Sequence, residues 1–179
     1  IKSYRSNPIN PKSKTLKYIS IDPFLNFYFY FIHNHKNIIF GKTRKGDLFN
    51  QLIRPRLPQF LGYAFEKFCL QNAMLIAEHL TFQNEVEHFG PYFKKAPVGL
   101  QIDLIYFREN KSITICEIKY SDEEIGPSVI SEMEIKAQKF SHFFPEYRIQ
   151  KALIVSSAVK KSVIVSKYFD YILVATDLL

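Results

Sequence analysis

The stretch from Gln101 to Ser121, QIDLIYFRENKSITICEIKYS, constrains the fold more than any other part of the chain. It consists of two apolar runs separated by the polar segment 108–112. Side chains alternate between the two faces of a strand, and here both faces carry apolar residues. The pattern therefore predicts a hairpin at the centre of a sheet that is covered on both sides.

Each predicted strand nevertheless carries a carboxylate. The register that matches apolar with apolar residues makes four pairs, namely Phe107 with Ile113, Ile105 with Ile115, Asp103 with Glu117, and Gln101 with Lys119. Carboxylates that face each other at about 5 Å repel, and burying them without a partner is costly. The alternative to a buried acidic pair is a solvent-facing sheet end with Lys119 in an ordinary ion pair.

A divalent cation would remove the conflict between the two carboxylates. Asp103 and Glu117, with a backbone carbonyl and waters, suit Mg²⁺ or Mn²⁺. Lys119 lies two residues beyond Glu117 on the same face, where it can orient an attacking water or stabilise a phosphorane-like transition state. The hairpin therefore predicts a metal-dependent site for phosphate chemistry.

Residues 57–179 read as helix, three strands, helix, strand, helix, strand. Segment 58–80 is the strongest helix, with an apolar stripe at helical spacing. This order predicts an α/β layer fold with a mixed sheet, preceded by a helical segment in residues 1–56. Within that segment, residues 1–20 read as an extended arm and residues 22–34 as a buried aromatic helix.

The charge is concentrated before residue 57. Residues 1–56 contain 11 Lys/Arg and 2 Asp/Glu, whereas residues 57–179 contain 13 and 15. Such an excess is typical of a solvated lead segment or of a surface that binds phosphate backbones. The densest basic residues are Lys42, Arg44, Lys45, Arg54 and Arg56. The sequence GKTRKG at 41–46 is not a P-loop, because it lacks the Lys that must follow the second Gly.

The chain shows no pattern that indicates secretion or membrane insertion. Cys69 and Cys116 lie in apolar surroundings and read as buried free thiols. There is no signal-peptide pattern, and the longest apolar run is about half of a membrane span. We expect a cytoplasmic protein without a membrane partner. The first residue is Ile1 rather than Met, which is typical of a fragment or a processed chain.

The motif QID…CEIK resembles the core of the PD-(D/E)xK nucleases. In these enzymes an Asp begins the motif and Glu-x-Lys follows on the next strand, which matches Asp103, Glu117 and Lys119. Many members carry a Glu on the first helix, and GYAFEKFC supplies Glu66 there. The resemblance implies a restriction-endonuclease-like three-layer core, with a mixed central sheet flanked by helices, in residues 57–179. Ile102 replaces the Pro of the family motif.

A closer resemblance is to the C-terminal domain of unknown function of archaeal-type P-loop ATPases. It is carried by the segments YISIDPFLNFYFYF, GYAFEKFC, FGPYF before QIDLIYF, and ITICEIKYS, and relatives often have an acidic residue at the position of Gln101. It implies that residues 1–56 are a connector or a remnant next to a winged helix. It also implies DNA as a partner and a P-loop ATPase domain in cis or in trans.

Two functions follow as hypotheses. The first is Mg²⁺- or Mn²⁺-dependent hydrolysis of DNA phosphodiesters, in which Asp103 and Glu117 bind metal, Lys119 assists the water, and Glu66 completes the site directly or through water. The second is an inactive nuclease-like module that docks on a P-loop ATPase or regulates it.

Overall fold

The computed structural model describes residues 1–9, 16–41, 47–95 and 99–178. In chain order its strands and α-helices are β1 (Lys2–Arg5), β2 (Leu16–Ile19), α1 (Pro23–Phe27), α2 (Lys36–Phe40), α3 (Leu57–Gln71), α4 (Ala73–His79), β3 (Val86–Lys94), β4 (Leu100–Arg108), β5 (Ser112–Lys119), α5 (Ser128–Ser141), β6 (Arg148–Val155), α6 (Lys161–Val165) and β7 (Tyr171–Val174).

The central sheet has the strand order β3–β4–β5–β6–β7. The strands β3, β4 and β5 are antiparallel, whereas β6 and β7 add in parallel. The parallel connections run through α5 and α6, because a parallel crossover needs a long connection. The predicted mixed sheet is confirmed.

Helices cover both faces of the sheet. On one face, α3 and α4 pack against the side chains of β4 and β5 that include Leu104, Tyr106 and Cys116. On the other face, α5 and α6 pack against the alternate set, which includes Ile105 and Ile115. These three layers confirm the predicted α/β core with its central hairpin buried on both sides.

The hairpin register agrees with the prediction only in its apolar part. Phe107 lies opposite Ile113 and Ile105 opposite Ile115, but the ladder between β4 and β5 ends at the pair Leu104–Cys116. Beyond that point β4 stays paired with β3 as far as its first residue, and β5 stays paired with β6 as far as its last. The two central strands therefore separate, and the predicted pairs Asp103–Glu117 and Gln101–Lys119 are not ladder pairs.

The turn of the hairpin is tighter than the predicted five-residue loop. Strand β4 includes Arg108 and β5 begins at Ser112, which leaves residues 109–111 as the turn. Asn110 and Lys111 have φ angles of 58° and 54°. Asn tolerates this left-handed region better than most residues do, so it suits a short turn at this position.

The N-terminal segment differs from its prediction in two ways. Strands β1 and β2 form an antiparallel hairpin where an extended arm was expected. The aromatic helix begins as predicted, since the Asp22 carboxylate accepts the Leu25 N–H at 2.9 Å. Between α1 and α2, however, the chain is π-helical and then 3₁₀-helical. Of the aromatic rings in residues 22–34 only that of Phe31 is buried, and Phe24 in α1 is 72% exposed. The prediction of a buried helix is therefore wrong for most of its aromatic residues.

This segment packs against the rest of the molecule. Ile19 belongs to the core under α3 and α4, and the ring centroid of Phe31 lies 5.2 Å from that of Phe60 on α3. The predicted helix 58–80 is two helices, because the backbone leaves helical geometry at Asn72. The Asn72 amide there donates to the Phe68 carbonyl at 2.9 Å.

Candidate functional site

Asp103 and Glu117 lie where β4 and β5 separate. Each is the first residue beyond the last ladder pair. Glu117 follows the face that packs against α5, whereas β4 has a bulge between Ile102 and Ile105 and Asp103 lines the cleft beside α3. The Asp103 side chain is half-buried and accepts a hydrogen bond from the Gln101 amide at 3.1 Å. Glu117 continues in the ladder with β6, and its side chain is only 3% exposed. The fork thus brings one half-buried and one buried carboxylate to the centre of the sheet.

Two ammonium groups contact the buried carboxylate. Lys119 Nζ lies 3.1 Å from Glu117 Oε1 and 2.6 Å from Glu132 Oε2, and Lys136 Nζ lies 2.6 Å from Glu117 Oε2. Glu132 and Lys136 are one turn apart on α5. Both oxygens of Glu117 therefore have a cationic partner, which offsets the cost of burying this charge.

Lys119 is held in its charged form. Burial acts to lower its pKa, but the hydrogen bonds to Glu132 and Glu117 outweigh burial and leave the pKa above the ordinary value. A lysine with a raised pKa is a poor general base at neutral pH. The position of Lys119 therefore suits the orientation of a water or the stabilisation of negative charge.

Glu66 approaches the site from α3. Together with Gln101 and Asp103 it lines the same cleft. Burial, and secondarily the charge of Asp103, raise the Glu66 pKa to about 6, with a further contribution from Glu117. Asp103 and Glu117 are therefore close enough to act electrostatically on Glu66. Lys17 and Lys136 act in the opposite direction and lower the Glu66 pKa.

The donor chemistry fits a hard divalent cation. In the ranges that the structure describes, no three His, Cys, Asp or Glu side chains are close enough to enclose a metal ion. Mg²⁺, however, is commonly bound by one or two carboxylates and several waters. Asp103 and Glu117 supply two carboxylates, and Glu66, whose pKa is raised by burial and then by the charge of Asp103, is a third acidic group nearby. Gln101 adds no carboxylate, and its amide is engaged with Asp103.

A cleft of about 1310 Å³ opens from this site. Its walls come mainly from β2, the segment around α1, and α3. Most of the large exposed apolar side chains of these elements line it, including Tyr18, Phe24, Phe29, Tyr63 and Phe68. The acidic fork is therefore reached through a surface that is mainly aromatic, with Lys17 and Lys67 as its cationic groups.

Of the predicted phosphate-binding residues, Lys42, Arg44 and Lys45 lie outside the described residues. Arg54 and Arg56 lie in a 3₁₀ turn immediately before α3, and both are exposed. The Arg54 guanidinium donates to the Asn50 side chain at 3.1 Å. The cleft-lining residues of α3, which run from Phe60 to Gln71, follow Arg56 by about one to four helical turns.

Sequence reasoning missed Lys136 and Glu132. Both lie on a helix that reads simply as amphipathic, and nothing in their spacing indicates which strand residues they contact. A signal was available in the charged pair Glu132-x₃-Lys136, placed beside the buried positions Val129 and Met133. A charged pair beside the buried stripe of a helix is close enough to the sheet to contact charged strand residues, as Glu132 and Lys136 do with Lys119 and Glu117.

The two cysteines are buried free thiols, as predicted. Burial raises the Cys69 pKa to about 12 and also raises the pKa of Cys116. Neither thiol is suited to act as a nucleophile or metal ligand, because the thiolate is the reactive form. No helix in the described parts of the chain is both long and apolar enough to cross a bilayer.

The chain belongs to DUF234, a family of archaeal and bacterial proteins of unknown function, whose model matches residues 28–142. One similar solved structure is a repair endonuclease from Pyrococcus abyssi, with 17% identity, a TM-score of 0.38, and coverage of 56% of this chain and 43% of that chain. Another is an EndoMS–dsDNA2 complex, with 12% identity, a TM-score of 0.40, and coverage of 60% and 42%. The aligned part is less than half of either solved chain. No curated protein matches significantly.

Proposed function

We propose that this member of DUF234 hydrolyses DNA phosphodiester bonds with Mg²⁺ or Mn²⁺. The observation that carries the proposal is the fork between β4 and β5. There Asp103 and Glu117 follow the last ladder pair, and Lys119 contacts Glu117 from the same strand. Carboxylates are seldom placed at the centre of a sheet, and a cleft in which a carboxyl group with a raised pKa, Glu66, lies beside further acidic groups is typical of a functional site.

The side chains have separate roles in this proposal. Asp103 and Glu117 hold the cation, which when bound supplies a polarised water and neutralises charge on the phosphate. Lys119, held as an ammonium ion, orients the attacking water and stabilises the negative charge that develops on the phosphoryl oxygens. Glu66, whose pKa is about 6, completes the site from α3, directly or through a water.

Affinity for DNA must come from outside the acidic fork, because carboxylates repel a polyanion. The proposed source is the basic stretch before α3, which comprises Lys42, Arg44, Lys45, Arg54 and Arg56. Contacts between these side chains and phosphates are independent of base sequence. The protein should therefore bind DNA with little sequence preference and with a steep dependence on salt.

The test is cleavage of supercoiled and branched DNA in Mg²⁺ or Mn²⁺. The wild-type protein should cleave at least one substrate, and Asp103→Asn should lower the rate by about 100-fold or more, because a positioned charged group contributes on that order. Glu109→Gln is the matched control. It removes one negative charge from the exposed turn at the opposite end of the same hairpin and should leave the rate unchanged. Cleavage that persists in Asp103→Asn would show that another site, or a contaminant, is responsible.

A second candidate function is an inactive nuclease-like module that docks on a P-loop ATPase or regulates it. Two observations favour it. Glu117 is already neutralised by two lysines, and a cleft with many exposed apolar side chains is typical of an interaction surface. Under this alternative Mn²⁺ leaves the thermal midpoint unchanged and Glu117→Gln is neutral or stabilising. Under the nuclease proposal Mn²⁺ raises the midpoint of the wild-type protein by mass action.

A further inference from the structure

We infer that Lys136 is an internal cation that neutralises Glu117 in the metal-free protein and competes with the metal ion for that carboxylate. The inference rests on the proposed function, since it concerns the same site. It assigns a positioning role to a residue on α5 that lies outside the strand motif.

The contacts of Glu117 carry the first step. Its side chain is 3% exposed, so water cannot solvate the charge. Lys136 Nζ instead lies 2.6 Å from Oε2, and Lys119 Nζ lies 3.1 Å from Oε1. An ammonium and a divalent ion bound to the same carboxylate repel each other strongly in a poorly solvated site. Full coordination of a metal by Glu117 therefore requires at least one ammonium to move away.

The geometry points to Lys136 as the group that moves. Lys119 has a second and closer partner, because its Nζ lies 2.6 Å from Glu132 Oε2. Among the residues that the structure describes, the Lys136 ammonium donates its hydrogen bond to Glu117. The Lys136 side chain is 29% exposed, and four methylene groups allow its ammonium to reach solvent while the stem stays packed. Lys119 keeps an anionic partner when the metal binds, whereas Lys136 loses the one it has.

Two consequences follow for the metal-free and metal-bound protein. Without metal, the Lys136 ammonium occupies Glu117 Oε2 and gives the buried carboxylate a partner, so the site stays assembled. With metal bound, the released Lys136 ammonium lies next to the site without an anionic partner. It can then donate a hydrogen bond to a phosphate oxygen of the substrate. Part of the binding free energy of the metal is therefore used to displace Lys136.

The test measures Mn²⁺ binding by isothermal titration calorimetry, without DNA. Lys136→Met should bind Mn²⁺ about tenfold more tightly than the wild-type protein, which corresponds to about 1.4 kcal/mol. The same variant should melt at a lower temperature without metal, because Glu117 loses a partner. Lys136→Arg keeps a cation and should retain wild-type affinity. Lys139→Met is the matched control, since it removes the same charge from an exposed position of the same helix.

A gain in affinity cannot arise from misfolding, which would weaken binding. If Lys136→Met does not fold, Lys136→Gln provides the same comparison. Binding that is unchanged or weaker in these variants overturns the inference, while loss of binding in Asp103→Asn would still support the metal site. If the wild-type protein binds no Mn²⁺ but Lys136→Met does, the inference is supported in its strongest form. If neither binds, the inference and the metal site fail together.

Discussion

At the scale of single residues, Glu66 carries a pH dependence with a definite sign. Its pKa in the folded protein is about 6, above the ordinary 4.5, because of burial and then the charge of Asp103. Between these two values the folded state binds more protons than the unfolded state does. This group's contribution to stability is therefore most favourable below pH 4.5, declines as the pH rises toward 6, and is a constant penalty above that.

Glu66→Gln should remove this penalty in the metal-free protein. We expect a gain of up to about 1 kcal/mol at pH 7.5, a modest value because the side chain is only half-buried and solvent screens its charge. At pH 4 the substitution should be neutral. Urea unfolding at the two pH values measures the difference, and the exposed Glu78→Gln on α4 serves as control. An equal effect of Glu66→Gln at both pH values would show that its cause is not the charge.

The carboxylates and Lys119 could be proposed as a group from the sequence because all three belong to one pair of strands, in which neighbouring strand ends meet. Strict alternation placed Asp103 on the face of Ile105, but the bulge in β4 between Ile102 and Ile105 breaks that alternation, and a bulge cannot be recognised from local spacing. Lys136 could not be identified in the same way, because its contact with Glu117 depends on how α5 packs across the sheet. The position of a helix along the sheet depends on the packing of many side chains and not on local spacing.

At the scale of secondary-structure elements, Arg108 joins four strands. Its guanidinium, 7% exposed, donates to the side chains of Thr114, Gln150 and Tyr171 on β5, β6 and β7, and it forms an ion pair with Glu85 before β3. The guanidinium also stacks on Phe82, with 4.1 Å from its carbon to the ring centroid. A planar group with five donors is suited to this arrangement, and Lys cannot replace it.

Arg108→Met should lower the free energy of unfolding by about 3 kcal/mol, because three polar partners on neighbouring strands lose a buried donor. Arg108→Lys should cost nearly as much, since one ammonium cannot reach all of the acceptors. Chemical denaturation measures both changes. Arg148→Met, at an exposed position of β6, is the control and should change stability by less than about 0.5 kcal/mol. A mild effect of Arg108→Lys would mean that its charge matters more than its geometry.

The elements themselves could be predicted where hydrophobic periodicity is strong, as in α3, α5 and the central hairpin. The break at Asn72 could not, because the apolar pattern continues through it and the side chain determines the local geometry by bonding to the Phe68 carbonyl. The hairpin of β1 and β2 was missed for another reason. Its strands have four residues each, which is too short for alternation to be distinguished from an irregular segment.

At the scale of the whole molecule, the separation of charge between the two parts of the chain has a measurable consequence for DNA binding. Arg54 and Arg56 are exposed and lie just before the helix that carries Glu66. If both contact phosphates, each contributes about 0.9 to the slope of log K against log salt. The site itself contributes little to attraction, because its carboxylates outnumber its free cations.

The double variant Arg54→Gln/Arg56→Gln should therefore bind DNA more weakly and reduce the salt slope by up to about 2. Stability should change little, because exposed charges contribute little to folding. Fluorescence anisotropy over a range of salt concentrations measures the slope. The matched control is Lys160→Gln/Lys161→Gln, which removes two exposed charges next to α6. An unchanged slope in the arginine variant would assign this segment the role of a solvated connector.

The separation of β4 from β5 also has a consequence for the order in which the molecule folds. Strands β3, β4 and β5 are neighbours in sequence and in space, so they close through short loops, whereas β6 and β7 must wait for the crossovers through α5 and α6. Glu117 is therefore placed in the early hairpin, but Lys136 reaches it only with α5. We expect the docking of that helix to be the late step that gives the second oxygen of Glu117 its ammonium partner.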